Sequence, residues 1–134
     1  MKTEAFAHIY ANGRRFIIVP VVTRPDGQPI ELDAPQTVPL TLGRPTVVRL
    51  TRALHAAKEA SHQGNPEAAP WDGESGRWWS HHLLGLTLHW GDDQVTLSGL
   101  QEGEMTPIVF STETPEGEIA ERLIALLGEK LHTA

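Results

Sequence analysis

Strict alternation of apolar side chains marks the segment 84–90, and this pattern constrains the fold more than any other feature. The alternating residues are Leu84, Leu86, Leu88 and Trp90. Successive side chains of a strand point to opposite faces of a sheet, so this spacing predicts a strand with one face in the core and one toward water. Gly91-Asp92-Asp93 follows as a turn, and Val95 and Leu97 predict the returning strand of a central hairpin.

A second hairpin is predicted at the N-terminus. Asn12-Gly13 provides its turn, because Asn and Gly tolerate the positive φ angles of a type I′ turn. The first strand precedes this turn, and the continuous apolar run 16–19 predicts a second strand that is covered on both faces. Pro20 ends that run, and since proline cannot donate to a strand ladder, it predicts an edge position or a bulge.

Shorter strands and a connector are predicted around these hairpins. Pro25-Asp26-Gly27 has the composition of a tight turn, and Ile30 and Leu32 predict a short returning strand. The stretch 33–41 contains Pro35 and Pro39 and is expected to be a connector. The run 108–110 predicts the last strand.

Two helices complete the predicted fold. Arg44-Pro45-Thr46 opens a segment in which Val47, Leu50, Leu54 and Ala57 recur every three or four residues, and Gly64-Asn65-Pro66 ends it. Thr114-Pro115-Glu116 opens the second, which has an apolar stripe at Ile119, Leu123, Leu126 and Leu127. The order of elements predicts an α+β fold, with a mostly antiparallel sheet built from the N-terminal and central hairpins and two packed helices. Residues 1–134 are expected to form a single domain.

Composition excludes several classes of function. The chain has no cysteine, so thiolate metal sites, disulfides and cysteine nucleophiles are impossible, and a cytoplasmic location is expected. The net charge of −6 disfavours a nucleic-acid partner, because proteins that follow phosphates need clustered Lys and Arg. No apolar run is long enough to predict a membrane span.

The histidines do not form a recognisable catalytic or metal-binding motif. His81 and His82 are adjacent, so in a strand they would point to opposite faces, and the parity of His89 predicts that it faces solvent. His55 and His62 are expected on a solvated flank of the first helix. No histidine spacing typical of zinc sites occurs, and no nucleophile elbow is present. We therefore expect no metal, no cofactor and no enzymatic activity.

Three tryptophans lie in one long polar loop at 63–80, which is rich in proline and glycine. Loops of this length are uncommon and are often functional. Trp71, Trp78 and Trp79 could cap the end of the core. They could equally form a binding hot spot, since Trp buries a large area at small entropic cost. Trp90, by contrast, is expected in the core.

The segment from Leu42 to the C-terminus resembles immunity proteins of bacterial contact-dependent growth inhibition systems. The similarity is carried by Leu42-Gly43 before a helix, the Pro/Gly/Trp loop, the hairpin 86–93, and a closing helix that opens with Thr114-Pro115-Glu116. The resemblance implies a protein that is not an enzyme. It would bind and neutralise one cognate toxin domain, commonly a nuclease, and we expect it to be a monomer when free.

An acidic inhibitor could dock on the basic substrate-binding surface of such a nuclease by charge complementarity. The candidate partner-binding residues are Trp71, Asp72, Glu74, Trp78, Trp79, Asp92, Asp93, Glu102 and Glu104. Two alternatives remain open. One is a small cytosolic enzyme that uses the histidines near 80–89, and the other is a generic interaction or adaptor domain.

Overall fold

A computed structural model describes residues 4–11, 14–23, 25, 27, 29–32, 35–40, 44–63, 84–100 and 105–133. Within those residues the protein has the predicted α+β fold, in which seven strands form one antiparallel sheet and two helices pack on it. The elements in chain order are β1 (Glu4–Ala11), β2 (Arg15–Thr23), β3 (Pro29–Glu31), β4 (Gln36–Pro39), α1 (Arg44–Gln63), β5 (Leu84–Trp90), β6 (Gln94–Gly99), β7 (Ile108–Ser111) and α2 (Glu116–Thr133).

The two hairpins belong to the same sheet. The strand order is β3-β2-β1-β5-β6-β7, with β4 also paired to β2, and every pairing is antiparallel. The junction between the hairpins is the long β1–β5 ladder, in which His8 lies opposite Thr87 and Ile9 lies opposite Leu86. A register shift between Ala5 and Ala7 produces a bulge in β1, next to the pair of Glu4 with Trp90 at the end of β5.

Pro20 is neither at an edge of the sheet nor in a bulge, so that prediction is wrong. It pairs with Ala7 of β1, and its carbonyl accepts a hydrogen bond from the Leu32 N–H at 2.8 Å on the other side. The N and O atoms of one residue in an antiparallel strand point the same way, so the missing N–H also faces that outer side. Pro20 lies opposite Leu32 there, so the reciprocal bond of this pair cannot form, and the β2–β3 ladder ends at this position, where β2 changes partner from β3 to β4.

The stretch 33–41 is more ordered than predicted. Its central part forms β4, which pairs with the first half of β2. Val38 lies opposite Phe16 and is buried, so Pro35 before the strand and Pro39 at its last position do not prevent it. A turn precedes β3, and Gly27 there has φ of 90°, the positive value that its place in the predicted Pro-Asp-Gly turn requires.

The main core lies between one face of the sheet and the two helices. Buried residues from all the long strands contribute, including Ile9, Ile18, Leu88 and Leu97. The helix side of this core is formed by Leu50, Ala53, Leu54 and Ala57 of α1 together with Ile119, Ala120, Leu123 and Leu127 of α2. The predicted stripes of both helices are therefore the faces that they bury, because residues three and four apart share one side of a helix.

Side-chain contacts tie α1 to β2 and to α2. The Ser61 hydroxyl donates to the Val21 carbonyl and ties the end of α1 to β2. Exposed His55 lies 3.6 Å from Glu59 one turn later and 3.4 Å from Glu116 at the start of α2. Neither of the two helices described here is apolar enough over a sufficient length to cross a bilayer.

The second face of the sheet does not simply point toward water. Ile17 and Val19 are buried on it, as predicted for a strand that is covered on both faces, and Tyr10 and Thr87 are buried there as well. His89 shares this face and is only partly exposed, so the prediction that it faces solvent is wrong. Alternation correctly located the apolar face of β5, but it cannot distinguish a polar face in water from one that is buried.

Candidate functional site

A cavity of about 430 Å³ lies at the tip of the central hairpin. Its lining comes from six places in the chain, namely the start of β1, the end of α1, the end of β5, the β5–β6 turn, the start of β6 and the residue after β7. The lining residues are Glu4, Lys58, His62, Trp90, Gly91, Asp92, Val95 and Thr112. Because the strands and α1 belong to the main core, these side chains stand on a rigid frame.

An aromatic stack forms one wall of the cavity. The Trp90 indole lies 4.9 Å from the Phe6 ring with 15° between their planes, and 4.0 Å from the His62 ring with 23° between planes. The bulge in β1 lies directly beside Trp90, since Glu4 pairs with Trp90 in the ladder. Trp90 packs against the core but stays partly exposed, so its predicted core position holds for only part of the side chain.

Charged groups of both signs surround this aromatic wall. Glu4 and Asp92 bring carboxylates, and Lys58 brings an ammonium group from α1, one turn before His62. Glu4 and Lys58 are partly buried, whereas Asp92 and His62 are exposed. Such a cavity can accept a guanidinium or ammonium group at its carboxylates, because carboxylates attract cations and accept their hydrogen bonds.

Backbone hydrogen bonds hold the acidic turn in place. The Gly91 N–H donates to the Gln94 carbonyl at 2.8 Å and closes the turn, and the Thr112 N–H donates to the Asp93 carbonyl at 3.4 Å. The second bond links the turn to the segment after β7. Asp93 is exposed beside the cavity and does not line it.

A separate cluster of ionisable groups lies on the second face of the sheet. Glu31 Oε2 accepts a hydrogen bond from the Tyr10 hydroxyl at 2.6 Å, and the same oxygen lies 2.9 Å from His8 Nδ1. The side chains of His8 and Glu31 are 12% and 11% exposed. An ionised carboxylate can only accept, so the proton on this side of His8 sits on Nδ1 and the ring orientation is fixed.

Burial shifts the proton affinities in this cluster. Burial raises the pKa of Tyr10 strongly, and the hydrogen bond to Glu31 and its negative charge raise it further. His89 lies on the same face, two residues along β5 from the partner of His8. Burial lowers the pKa of His89, and the nearby His8 lowers it again by charge repulsion. Both groups are therefore held in their neutral forms near pH 7.

Most of the predicted partner-binding residues lie outside the described part of the chain. This applies to Trp71, Asp72, Glu74, Trp78, Trp79, Glu102 and Glu104, and also to His81 and His82. Asp92 and Asp93 are described, and both occupy the exposed turn at the cavity.

The sequence did not predict several residues of the hairpin cavity and of the ionisable cluster on the second face. His62 was expected on a solvated flank, and it is exposed, but it also stacks on Trp90. Glu4, Lys58 and Glu31 gave no signal, because each is a single charged residue whose neighbours come from distant parts of the chain. Only the ladder register brings Glu31 of β3 near His8 and Tyr10 of β1.

Among the described residues, no group of three or more His, Asp or Glu side chains converges in a way that could hold a metal ion. His8, Glu31 and His89 share a face without forming such a group.

Comparison with known proteins gives a fold relationship. No protein-family model matches the chain, and no curated protein matches it either. Among solved structures, it is similar to NMB0488 from Neisseria meningitidis, a protein of unknown function, with a TM-score of 0.63 and 14% sequence identity. The match covers 96% of this chain and 95% of that one. At this identity the likeness shows a shared fold.

Proposed function

We propose that this protein is an immunity protein of a contact-dependent growth inhibition system. It binds a single cognate toxin domain in the cytoplasm, as a monomer, and neutralises it by occupying the toxin's functional surface. The toxin domain is a nuclease with a basic substrate-binding surface. The proposal rests on the resemblance in the segment from Leu42 onward and on the geometry at the tip of the central hairpin.

The observation that carries the proposal is the position of Asp92. Its carboxylate lines a cavity with an aromatic wall and a second carboxylate, Glu4, while Asp93 stands exposed beside it. Interface hot spots are typically anchored by aromatic and charged side chains that meet a partner residue in a pocket. A basic side chain of the toxin fits this cavity, and the net charge of −6 favours its approach.

The proposal requires a neighbouring gene that encodes the toxin domain, and the direct test uses the product of that gene. The two proteins are co-expressed and purified, and the affinity is measured by calorimetry for the wild type, Asp92→Lys and Glu59→Lys. Glu59 is the matched control, because it is 57% exposed, carries the same charge and does not line the cavity. We expect Asp92→Lys to weaken binding at least tenfold and to lose protection of growing cells, while Glu59→Lys retains both. Equal affinities for the three proteins would contradict the proposed surface, and no complex at all would contradict the function.

A second candidate function is favoured by one observation. His8 is oriented by Glu31 through Nδ1, as in a histidine–carboxylate acid–base pair, and His89 is held neutral nearby. In the enzyme hypothesis, His8 is thus a further candidate catalytic histidine beside the predicted His89. It requires turnover of chromogenic ester or phosphoester substrates that is lost in His89→Gln and kept in His55→Gln, where His55 is exposed and distant from the cluster.

A further inference from the structure

The exposed side of α1 carries an unusual concentration of arginine. Arg44, Arg49 and Arg52 lie in the first half of the helix, and the first turn contains no acidic residue. Within the described part of the chain, none of the three makes an ion pair or a side-chain hydrogen bond. On a protein with a net charge of −6, this is a local patch of the opposite sign.

Two concave surfaces meet at Arg52. One has a volume of about 630 Å³ and lies between α1 and α2, with Arg44, Val48, Arg52 and Glu121 in its lining. The other has a volume of about 480 Å³ and lies between α1 and β4, where Arg49 and Arg52 take part in the lining. The arginines therefore border shaped surfaces and are not spread over a convex one.

Stability does not explain this arrangement. The first turn of a helix is its positive end, where acidic residues are favourable and cations are unfavourable. Helix α2 follows that rule, since Glu116 and Glu118 occupy its first turn. Helix α1 instead has Arg44 in its first turn, and none of the three arginines has a side-chain partner among the described residues.

An exposed valine favours a peptide over a polyphosphate as the ligand of this surface. Val48 is 41% exposed and lies in the larger concave surface with Arg44 and Arg52 on either side along the helix. These two arginines are eight residues apart, about 12 Å along the helix axis. A nucleic-acid backbone has nothing apolar to place on Val48, whereas an amphipathic peptide does.

We propose that the Arg44–Val48–Arg52 face of α1, with Arg49 at its side, binds an acidic peptide segment of a partner protein. The segment carries an apolar residue between two carboxylates, so that the apolar residue covers Val48 and the carboxylates pair with the arginines. Arginine suits this role because its planar guanidinium group binds carboxylates bidentately. Along α1 this face begins about 27 Å from His62 at Arg44 and ends about 15 Å from it at Arg52, and it shares no lining residue with the hairpin cavity, so it is independent of the function proposed there.

The test uses a fluorescein-labelled helical peptide of 16 residues, with glutamates eight positions apart and a leucine midway between them. Fluorescence polarisation is measured against the wild type, Arg52→Glu, Val48→Asp and Arg122→Glu. Arg122 is the matched control, because it is an exposed arginine on α2 that lines neither concave surface. Circular dichroism melting verifies that each variant is folded.

We expect saturable binding that weakens at least tenfold in Arg52→Glu and Val48→Asp, changes less than twofold in Arg122→Glu, and decreases with added salt. The same peptide with the leucine replaced by serine should bind at least fivefold more weakly. Tighter binding of a 16-nucleotide single strand than of the peptide would overturn the proposal. Equal losses of peptide affinity in Arg52→Glu and Arg122→Glu would also overturn it. So would concentration-dependent self-association of the protein that Arg52→Glu abolishes, because a second copy of the chain would then be the partner of this face.

Discussion

The two faces of the sheet are both buried around β1 and β2, but they are held together by different interactions. The face beneath α1 and α2 is apolar throughout, with Ile9, Ile18 and Leu88 in contact with the helices. The opposite face combines apolar residues such as Val19 with the hydrogen-bonded group of His8, Tyr10 and Glu31. The first face tolerates any apolar side chain that fits. The second buries polar atoms, of which those of His8, Tyr10 and Glu31 are paired, whereas the hydroxyl oxygen of Thr87 has no hydrogen-bond partner among the described residues.

This difference also separates stability from function. The helix-covered face holds the frame on which the hairpin cavity and the α1 arginines are mounted. The polar face is closed, since Glu31 and its partners are almost entirely buried. We therefore place the binding surfaces at the hairpin tip and on α1, and regard the polar face as a second core.

The largest effect is expected on the apolar face. Leu88→Ala removes a completely buried side chain between the sheet and the helices and should lower the free energy of unfolding by about 3 kcal/mol. Urea denaturation followed by circular dichroism measures this. Val109→Ala is the control, because Val109 is 58% exposed on β7 and its truncation should change stability by less than about 0.5 kcal/mol. Equal losses in the two variants would contradict the assignment of the core.

A smaller effect is expected on the polar face. Glu31→Gln removes the negative charge that Tyr10 and His8 share, and it should lower the free energy of unfolding by about 2 kcal/mol, as is typical when hydrogen bonds to a buried charge are lost. Glu59→Gln serves as the control, since its pair with His55 is exposed and contributes less than about 0.5 kcal/mol. A Glu31→Gln protein as stable as the wild type would mean that the polar face is not a coupled network.

The smallest effect is a dependence of stability on pH that comes from His89. Its pKa is lowered in the folded protein, so below about pH 6.5 the unfolded chain binds more protons at this site than the folded one does. The free energy of unfolding is therefore higher above pH 6.5, where His89 is neutral in both states, and it decreases as the pH falls below 6.5.

Urea midpoints at pH 7.5 and pH 5.5 measure this dependence. His89→Gln should reduce the difference between the two midpoints, while His55→Gln, which alters an exposed histidine, should leave that difference in place. If His89→Gln and the wild type lose the same stability between the two pH values, the burial of His89 is contradicted.

The sequence was sufficient for the fold wherever a pattern is local. The alternation of Leu84, Leu86 and Leu88, the stripe of α1 and the apolar run 108–110 each appear in the structure as predicted. Strand β4 was not predicted, because a four-residue strand that follows one proline and ends in another carries too little pattern. The position of Pro20 depends on where β2 changes partner, which only the assembled sheet determines.

The candidate site was less predictable for the same reason. Asp92 could be proposed because acidic turn residues next to an alternating strand are visible in the sequence. Glu4, Lys58 and His62 come together only through the β1–β5 ladder and the packing of α1, so no local signal marks them. For His89, the alternation predicted correctly which face of the sheet the side chain lies on, but not how far it is buried. Alternation carries no information about what covers a polar face.

One titration tests the central claim that the polar face is a closed core and not an accessible site. Tyr10 is the single tyrosine of the chain, so tyrosinate absorbance at 295 nm reports on it alone. Burial and Glu31 raise its pKa, so the stability from this group is complete below pH 10 and is lost as the pH rises further. We predict that Tyr10 does not ionise near pH 10 in the folded protein and that tyrosinate appears together with the loss of circular dichroism. Ionisation with a midpoint near pH 10 and intact secondary structure would contradict the account.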